Sequence, residues 1–363
     1  MIDPAVSGEL LRSEIGEQPR VLAATLQRLE APAAAVAERM HQRRVPFVVV
    51  AGRGSSANAG QYARYLFEVA TQLPVVQAAP SVVTMYRSLP AWSGAALIGI
   101  SQSGRISDVV SLVGAARATG ALTVGLTNEA RSALAASSEL PLVTPAGPEA
   151  SVPATKTYSA ALVALALIAR ALGSERGGGA PAGLTPQHLA RVPAAASDIL
   201  KREPEFEAAA WALRDVSRCL VVGRGFNRSS AFETALKIQE TSYVLAQAHG
   251  ASDLLHGPVA VLERGFCVIG LLSGGPTASS VMEALERARQ RGARVLLISD
   301  GDVDHAALEH IAEERIHLDS GLPEPLSPIG FAVAGQLLAL HLALAKGLRP
   351  ETPRALEKVT VTG

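Results

Sequence analysis

The chain has 363 residues, of which 48% are hydrophobic and 18% charged, enough apolar material for a large core and too much for a disordered chain. Its 33 basic residues balance 33 acidic ones. No global basic field therefore draws it to nucleic acid or an anionic membrane, although a local pocket for a small anion needs none.

At about 100–200 residues per domain the length suggests two domains. The start, Met1-Ile2-Asp3-Pro4-Ala5, lacks the basic opening and apolar core of a signal peptide, so a cytoplasmic protein is expected. Val49-Val50-Ala51 is a buried strand ending in Gly52-Arg53-Gly54-Ser55-Ser56. A second strand, Ala96–Ile100, runs into Ser101-Gln102-Ser103-Gly104, and a helix is predicted over Ser107–Thr119. Ser/Gly turns at helix starts present free N–H groups, hydroxyls and the positive end of the helix dipole, which suit a phosphate, although each alone is also an ordinary N-cap. No Gly-Lys-Ser/Thr and no GxGxxG follows, so a nucleotide cofactor is not supported. Leu122–Asn128 reads as a third strand.

Of the two long apolar runs, Ala160–Ala169 is too short to span a bilayer, and Pro328–Ala345 is interrupted by Gln336 and His341. Ser174–Gly183 is Gly-rich and aperiodic, and a linker is placed at 174–186. Beyond it, Cys219 and Cys267 lie inside apolar strand-like runs, too few for a disulfide framework or a cysteine metal site. Ser229–Ala248 reads as one helix carrying Glu233, Lys237 and Glu240 at i, i+4 and i+7, hence on one face. On a surface such a stripe is a solvated pattern worth about half a kcal/mol; beside a strand-end cleft it is placed to shuttle protons. His256 follows in a tight turn, a second helix is predicted over Ser280–Arg291, and the tail Pro353–Val361 carries Lys358. Neither His256 nor Lys358 signals anything alone.

The chain also repeats itself. Val49–Ser55 matches Val221–Phe226, Ile98–Gly104 matches Gly270–Gly275, and Leu122–Asn128 matches Arg294–Asp300, in one order at a spacing of 171 or 172 residues. Three ordered matches argue for a tandem duplication of a parallel α/β sheet covered on both faces. Ligands in such sheets bind at the carboxyl ends of the strands, near a switch in strand order.

Taken together these segments resemble the tandem sugar isomerase (SIS) family over nearly the whole chain. Glu14-Ile15-Gly16-Glu17-Gln18-Pro19 is similar to the family's opening, and Ser101–Gly104 to its SQSG phosphate loop. Thr155-Lys156-Thr157 after Glu149, the helix Glu233–Tyr243, His256-Gly257-Pro258 and the tail Pro353–Val361 resemble later family segments. The resemblance implies an α/β fold of two tandem SIS domains, each a three-layer α/β/α sandwich, over 1–173 and 187–363. It implies Glu240 as the base moving a proton between C1 and C2, with Glu233 and Lys237 beside it. It further implies His256 as a ring-opening group contributed across a homodimer, and Lys358 as a Schiff-base lysine. Ser56, Ser101, Gln102, Ser103 and Ser107 would hold the phosphate, and Gly54, Val152 and Ala154 would line the sugar.

Two positions depart from the family: Ile106 stands where a threonine follows the phosphate loop, and Ala154 where a serine lies near the sugar. The family's amidotransferases need a glutaminase cysteine, and both cysteines here are mid-chain. The expected reaction is therefore glucosamine 6-phosphate plus water to fructose 6-phosphate plus ammonia, with no metal or other cofactor. A fructosamine-phosphate deglycase, another phosphosugar isomerase and a non-catalytic sugar-phosphate regulator are the alternatives. The expected partner is a small sugar phosphate, with no nucleic acid and no membrane.

Overall fold

A computed structural model describes residues 8–176 and 183–358, and the chain forms two compact units. The N-terminal unit comprises Arg20–Glu149, Lys156–Ala190 and the chain from Glu357. The C-terminal unit comprises the chain up to Pro19, Ala150–Thr155 and Arg191–Leu356.

The N-terminal unit is built on β1 (Val48–Ala51), β2 (Val75–Gln77), β3 (Ala96–Ile100), β4 (Leu122–Thr127) and β5 (Leu140–Val143). They pair in parallel in the order β2-β1-β3-β4-β5. Every residue of β1, β3 and β4 is buried, as expected of strands covered by helices on both faces. Strand order reverses between β1 and β3, whose ends lie side by side with Ala51 opposite Gly99. The crevice of a doubly wound sheet opens there.

The C-terminal unit repeats this plan with β6 (Arg218–Gly223), β7 (Leu245–Gly250), β8 (Cys267–Ser273), β9 (Arg294–Asp300) and β10 (Glu314–His317). Its order, β7-β6-β8-β9-β10, is that of the first sheet. The correspondence reaches single torsions. Gly54 and Gly225, 171 residues apart, have φ of 54° and 60°, and the helix caps Gln72 and Tyr243 have φ of 57° and 56°. The duplication read in the sequence is thus a duplication of structure.

Two expectations need correction. The segment Ser229–Ala248 is not one helix: the helix spans Asn227–Ser242, and β7 begins at Leu245. Tyr243 turns left-handed and its N–H donates to the Gln239 carbonyl, which frees Leu245–Gly250 to pair with β6. The alanines of this stretch favour a helix locally, but ladder pairing overrides that weak preference. The linker also begins two residues later than Ser174, because the helix Lys156–Glu175 takes its first two positions and the next helix starts at Pro186. Residues 177–182 of that linker lie outside the described residues.

Lys156–Glu175 and Glu324–Ala345 are long and apolar enough to cross a membrane, yet 83% and 89% of those windows are buried in protein. They are core helices. Each packs against the helix that follows the first strand of its own unit, Ser55–Thr71 in one and Asn227–Ser242 in the other.

Candidate active site

In the N-terminal unit the loops after β1 and β3 enclose the switch-point crevice. Gly104 turns at φ 60°, and a Cβ there would fall 2.2 Å from the Ser132 hydroxyl, so only glycine lets the loop close over the following segment. The Ser101 hydroxyl accepts the Gly104 N–H at 3.1 Å, and that of Ser103 accepts the Arg105 N–H at 3.3 Å. The Thr127 hydroxyl donates to the Gln102 carbonyl, fixing the loop to the end of β4. The Ser56 hydroxyl and the Gln102 side-chain amide bond no group among the described residues, and both are only half-buried. Ser107, the first residue of the Ser107–Ala118 helix, is exposed. Ile106, just before it, packs against the apolar core and brings no hydroxyl. Gly54, Ser101, Gln102 and Ser103 thus lie on two neighbouring loops, with Ser56 in the first turn of the helix Ser55–Thr71 that follows the first of them. An anion there would meet hydroxyl and N–H donors without displacing an internal bond.

At the corresponding strand ends of its own sheet, the C-terminal unit sets side chains that bond one another. The Asn227 amide donates to the hydroxyls of Ser273 at 3.0 Å and Ser327 at 2.8 Å. The Thr277 hydroxyl donates to Glu324 Oε1 at 2.6 Å. A Cβ on Gly275 would lie 2.8 Å from Glu324 Oε2. A carboxylate sits in the mouth of the second crevice.

This unit instead carries charge on the Asn227–Ser242 helix. Lys237 Nζ lies 2.5 Å from Glu240 Oε2 and 3.6 Å from Glu233 Oε1. The side chains of Lys237 and Glu233 are 3% and 2% exposed, whereas that of Glu240 is 21% exposed. The three therefore form one line from the interior outward, with only the Glu240 carboxylate reaching a surface. Burying such a pair costs several kcal/mol of desolvation per ion, which the short contact offsets but does not turn into a large gain. The helix is held by Thr241, whose hydroxyl donates to the Ala339 carbonyl at 3.0 Å, and by Gly335, which leaves room for Thr234.

The sequence singled out Lys358 but not its partner. Within the N-terminal unit Lys358 Nζ donates to Glu149 Oε2 at 2.8 Å, and the Glu149 side chain is fully buried. The backbone N–H and hydroxyl of Thr157 also donate to Glu149, at 3.2 and 2.7 Å. Nothing in the local pattern signals this carboxylate, because its lysine lies 209 residues away.

In the C-terminal unit Glu14 accepts bonds from the Ala150 and Ser151 N–H groups and the Ser151 hydroxyl. It thereby anchors the segment containing Val152 and Ala154, both half-buried. The Val152 N–H is taken by the Glu351 carbonyl at 3.1 Å. The His256 ring is exposed and bonds none of the described residues.

Cys219 and Cys267 face each other across β6 and β8 and are buried. The hydrogen bond that the Cys219 thiol donates to Cys267, together with burial, pushes it well above its ordinary range, so it is no nucleophile.

A duplicated doubly wound fold, with a donor-lined crevice in one copy and a buried acid–base stripe in the other, defines a class of tandem α/β proteins. Within that class the chain belongs to the SIS domain family, which matches residues 43–171 and 212–346. It is 34% identical over 349 residues to a glutamine–fructose-6-phosphate aminotransferase (isomerizing) of Pyrococcus horikoshii, covering 96% of this chain and 57% of that protein. The chain thus spans less than two thirds of the length of such relatives. A solved structure from Silicibacter pomeroyi DSS-3, provisionally named a phosphosugar isomerase, is 30% identical with a TM-score of 0.82, covering 94% and 99% of the two chains. Glucosamine-6-phosphate deaminase from Thermotoga maritima shares the fold at a TM-score of 0.71 and 21% identity, covering 97% of this chain and 100% of that one.

Proposed function

We propose that the chain is a phosphosugar isomerase acting as a deaminase, converting glucosamine 6-phosphate and water to fructose 6-phosphate and ammonia. The observation that carries this reading is the buried Glu233–Lys237–Glu240 line, whose outermost carboxylate alone reaches a surface. In the opened aldose, Glu240 takes the proton from C2 and returns it to C1, leaving an imine at C2. Lys237, charged and pinned between two carboxylates, steadies the oxygen or nitrogen on which charge develops. Water, or the Lys358 amine followed by water, adds to the imine carbon, and ammonia leaves. Before it can attack, Lys358 must give up a proton, and Glu149 is the acceptor placed at 2.8 Å.

The phosphate is assigned to Ser56, Ser101, Gln102 and Ser103. In this reading His256 opens the ring from a second copy of the chain across a homodimer, in keeping with a ring that bonds none of the described residues.

The test is ammonia release over a panel of hexosamine and fructosamine phosphates. Glucosamine 6-phosphate is the substrate expected to turn over fastest. Fastest release from a fructosamine phosphate would move the assignment to a deglycase, and no turnover of any member would remove it.

A further inference from the structure

Arg53 lies between the two glycines of the β1 loop, and its guanidinium pairs with the carboxylate of Asp108, in the first turn of the helix that follows the β3 loop. Asp108 is 7% exposed and Arg53 47% exposed. Among the described residues Asp108 is the only polar side-chain partner that Arg53 has. A guanidinium has five N–H donors in a fixed fork. Most of them remain open, at the mouth of the crevice already lined by the free Ser56 hydroxyl and Gln102 amide.

Charge explains why they should be there. Asp108 puts a negative charge into the helix turn that an incoming phosphate dianion must approach, and like charges in a poorly hydrated crevice repel strongly. Arg53 cancels that charge and adds donors suited to phosphate. Ile106, just before that helix, is packed against the core and offers no side-chain donor, so the cation is supplied by the opposite loop.

We propose that Arg53 is a direct phosphate contact and sets the preference of this site for a dianionic sugar phosphate over its uncharged sugar. The proposal rests on reading the β1/β3 crevice as the phosphate site; it does not need the deaminase reaction.

The experiment is calorimetric titration of the full chain with inorganic phosphate and with fructose 6-phosphate, for the wild type and three variants. Arg53→Ala should weaken both ligands about tenfold or more, the usual worth of a charge-assisted bond. Asp108→Asn breaks the same ion pair from the other side but keeps the guanidinium and removes a negative charge, so it should bind as tightly as wild type or more tightly. Arg224→Ala, at the corresponding place in the second copy, should stay within about twofold, since Glu324 already occupies that crevice.

Equal weakening by Arg53→Ala and Asp108→Asn would make the pair a mere clamp between loops and overturn the proposal. So would unchanged binding in Arg53→Ala, or a loss confined to Arg224→Ala. Phosphate binding that responds as described, in a protein that releases no ammonia, would sink the deaminase reading and leave this one standing.

Discussion

The two copies of the fold begin from one backbone and end with different chemistry. On the Ser55–Thr71 helix, the positions equivalent to Glu233, Lys237 and Glu240 are Tyr62, Leu66 and Val69, at the spacing of 171 that the helix caps obey. Tyr62 and Leu66 are packed in the core, and burial alone pushes the Tyr62 hydroxyl far above its usual range. At the strand ends the contrast inverts. The first copy keeps the Ser56 hydroxyl and the Gln102 amide unbonded among the described residues, and the second closes its own crevice with Asn227, Thr277 and Glu324. The first copy shows that this fold needs no charge on that helix. A buried lysine between two glutamates is therefore kept at a cost to stability that packing does not explain.

The largest effect should come from Glu240→Gln. It leaves a partly exposed, isosteric side chain, so the thermal midpoint should barely move, while ammonia release falls about 10²–10⁴-fold. Near-normal turnover would erase the functional contrast between the two helices.

Next in size is Lys237→Met, which removes the cation beside the buried Glu233 carboxylate and should cost about 3–5 kcal/mol in a denaturant titration. Adding Glu233→Gln should recover most of that stability and none of the activity. A double variant no more stable than the single would mean that the ion pair is structural after all. Gly104→Ala should come third, costing about 1–3 kcal/mol from positive-φ strain and the clash with Ser132, with weaker phosphate binding.

The smallest effect concerns a matched pair of locks. Asn128 accepts the Ala146 N–H and donates to the Gly147 carbonyl, whereas Asp300 accepts both the N–H and the hydroxyl of Ser320. Burial raises the Asp300 carboxyl above its usual range, outweighing the bonds from Ser320. A raised folded-state value means that this group's contribution is fully present at low pH and is lost as pH rises through that value. Asp300→Asn, which copies the first lock, should therefore lose no stability at neutral pH. Its advantage over wild type should shrink as pH falls through the raised value of Asp300 towards the ordinary carboxylate range, and change no further below it. An advantage that grew on acidification would contradict the sign.

Much of this was legible in the sequence. The repeat, the two glycine loops and the i, i+4, i+7 stripe are local patterns, and the strand order only places them. The end of the helix at Ser242 was not, because a left-handed tyrosine and pairing with β6 decide it. Nor were the Glu149–Lys358 and Arg53–Asp108 pairs, 209 and 55 residues apart. Periodicity reports which face a residue occupies, and it is silent on which distant segment folds against that face.

Solvent exchange tests the division of labour most directly. Fructose 6-phosphate is incubated with enzyme and ammonium in deuterium oxide, and label at C1 is followed by NMR. The wild type should place deuterium at C1, and Glu240→Gln, although it still binds the sugar phosphate, should place almost none. Exchange at equal rates in the two proteins would show that the proton moves without this helix.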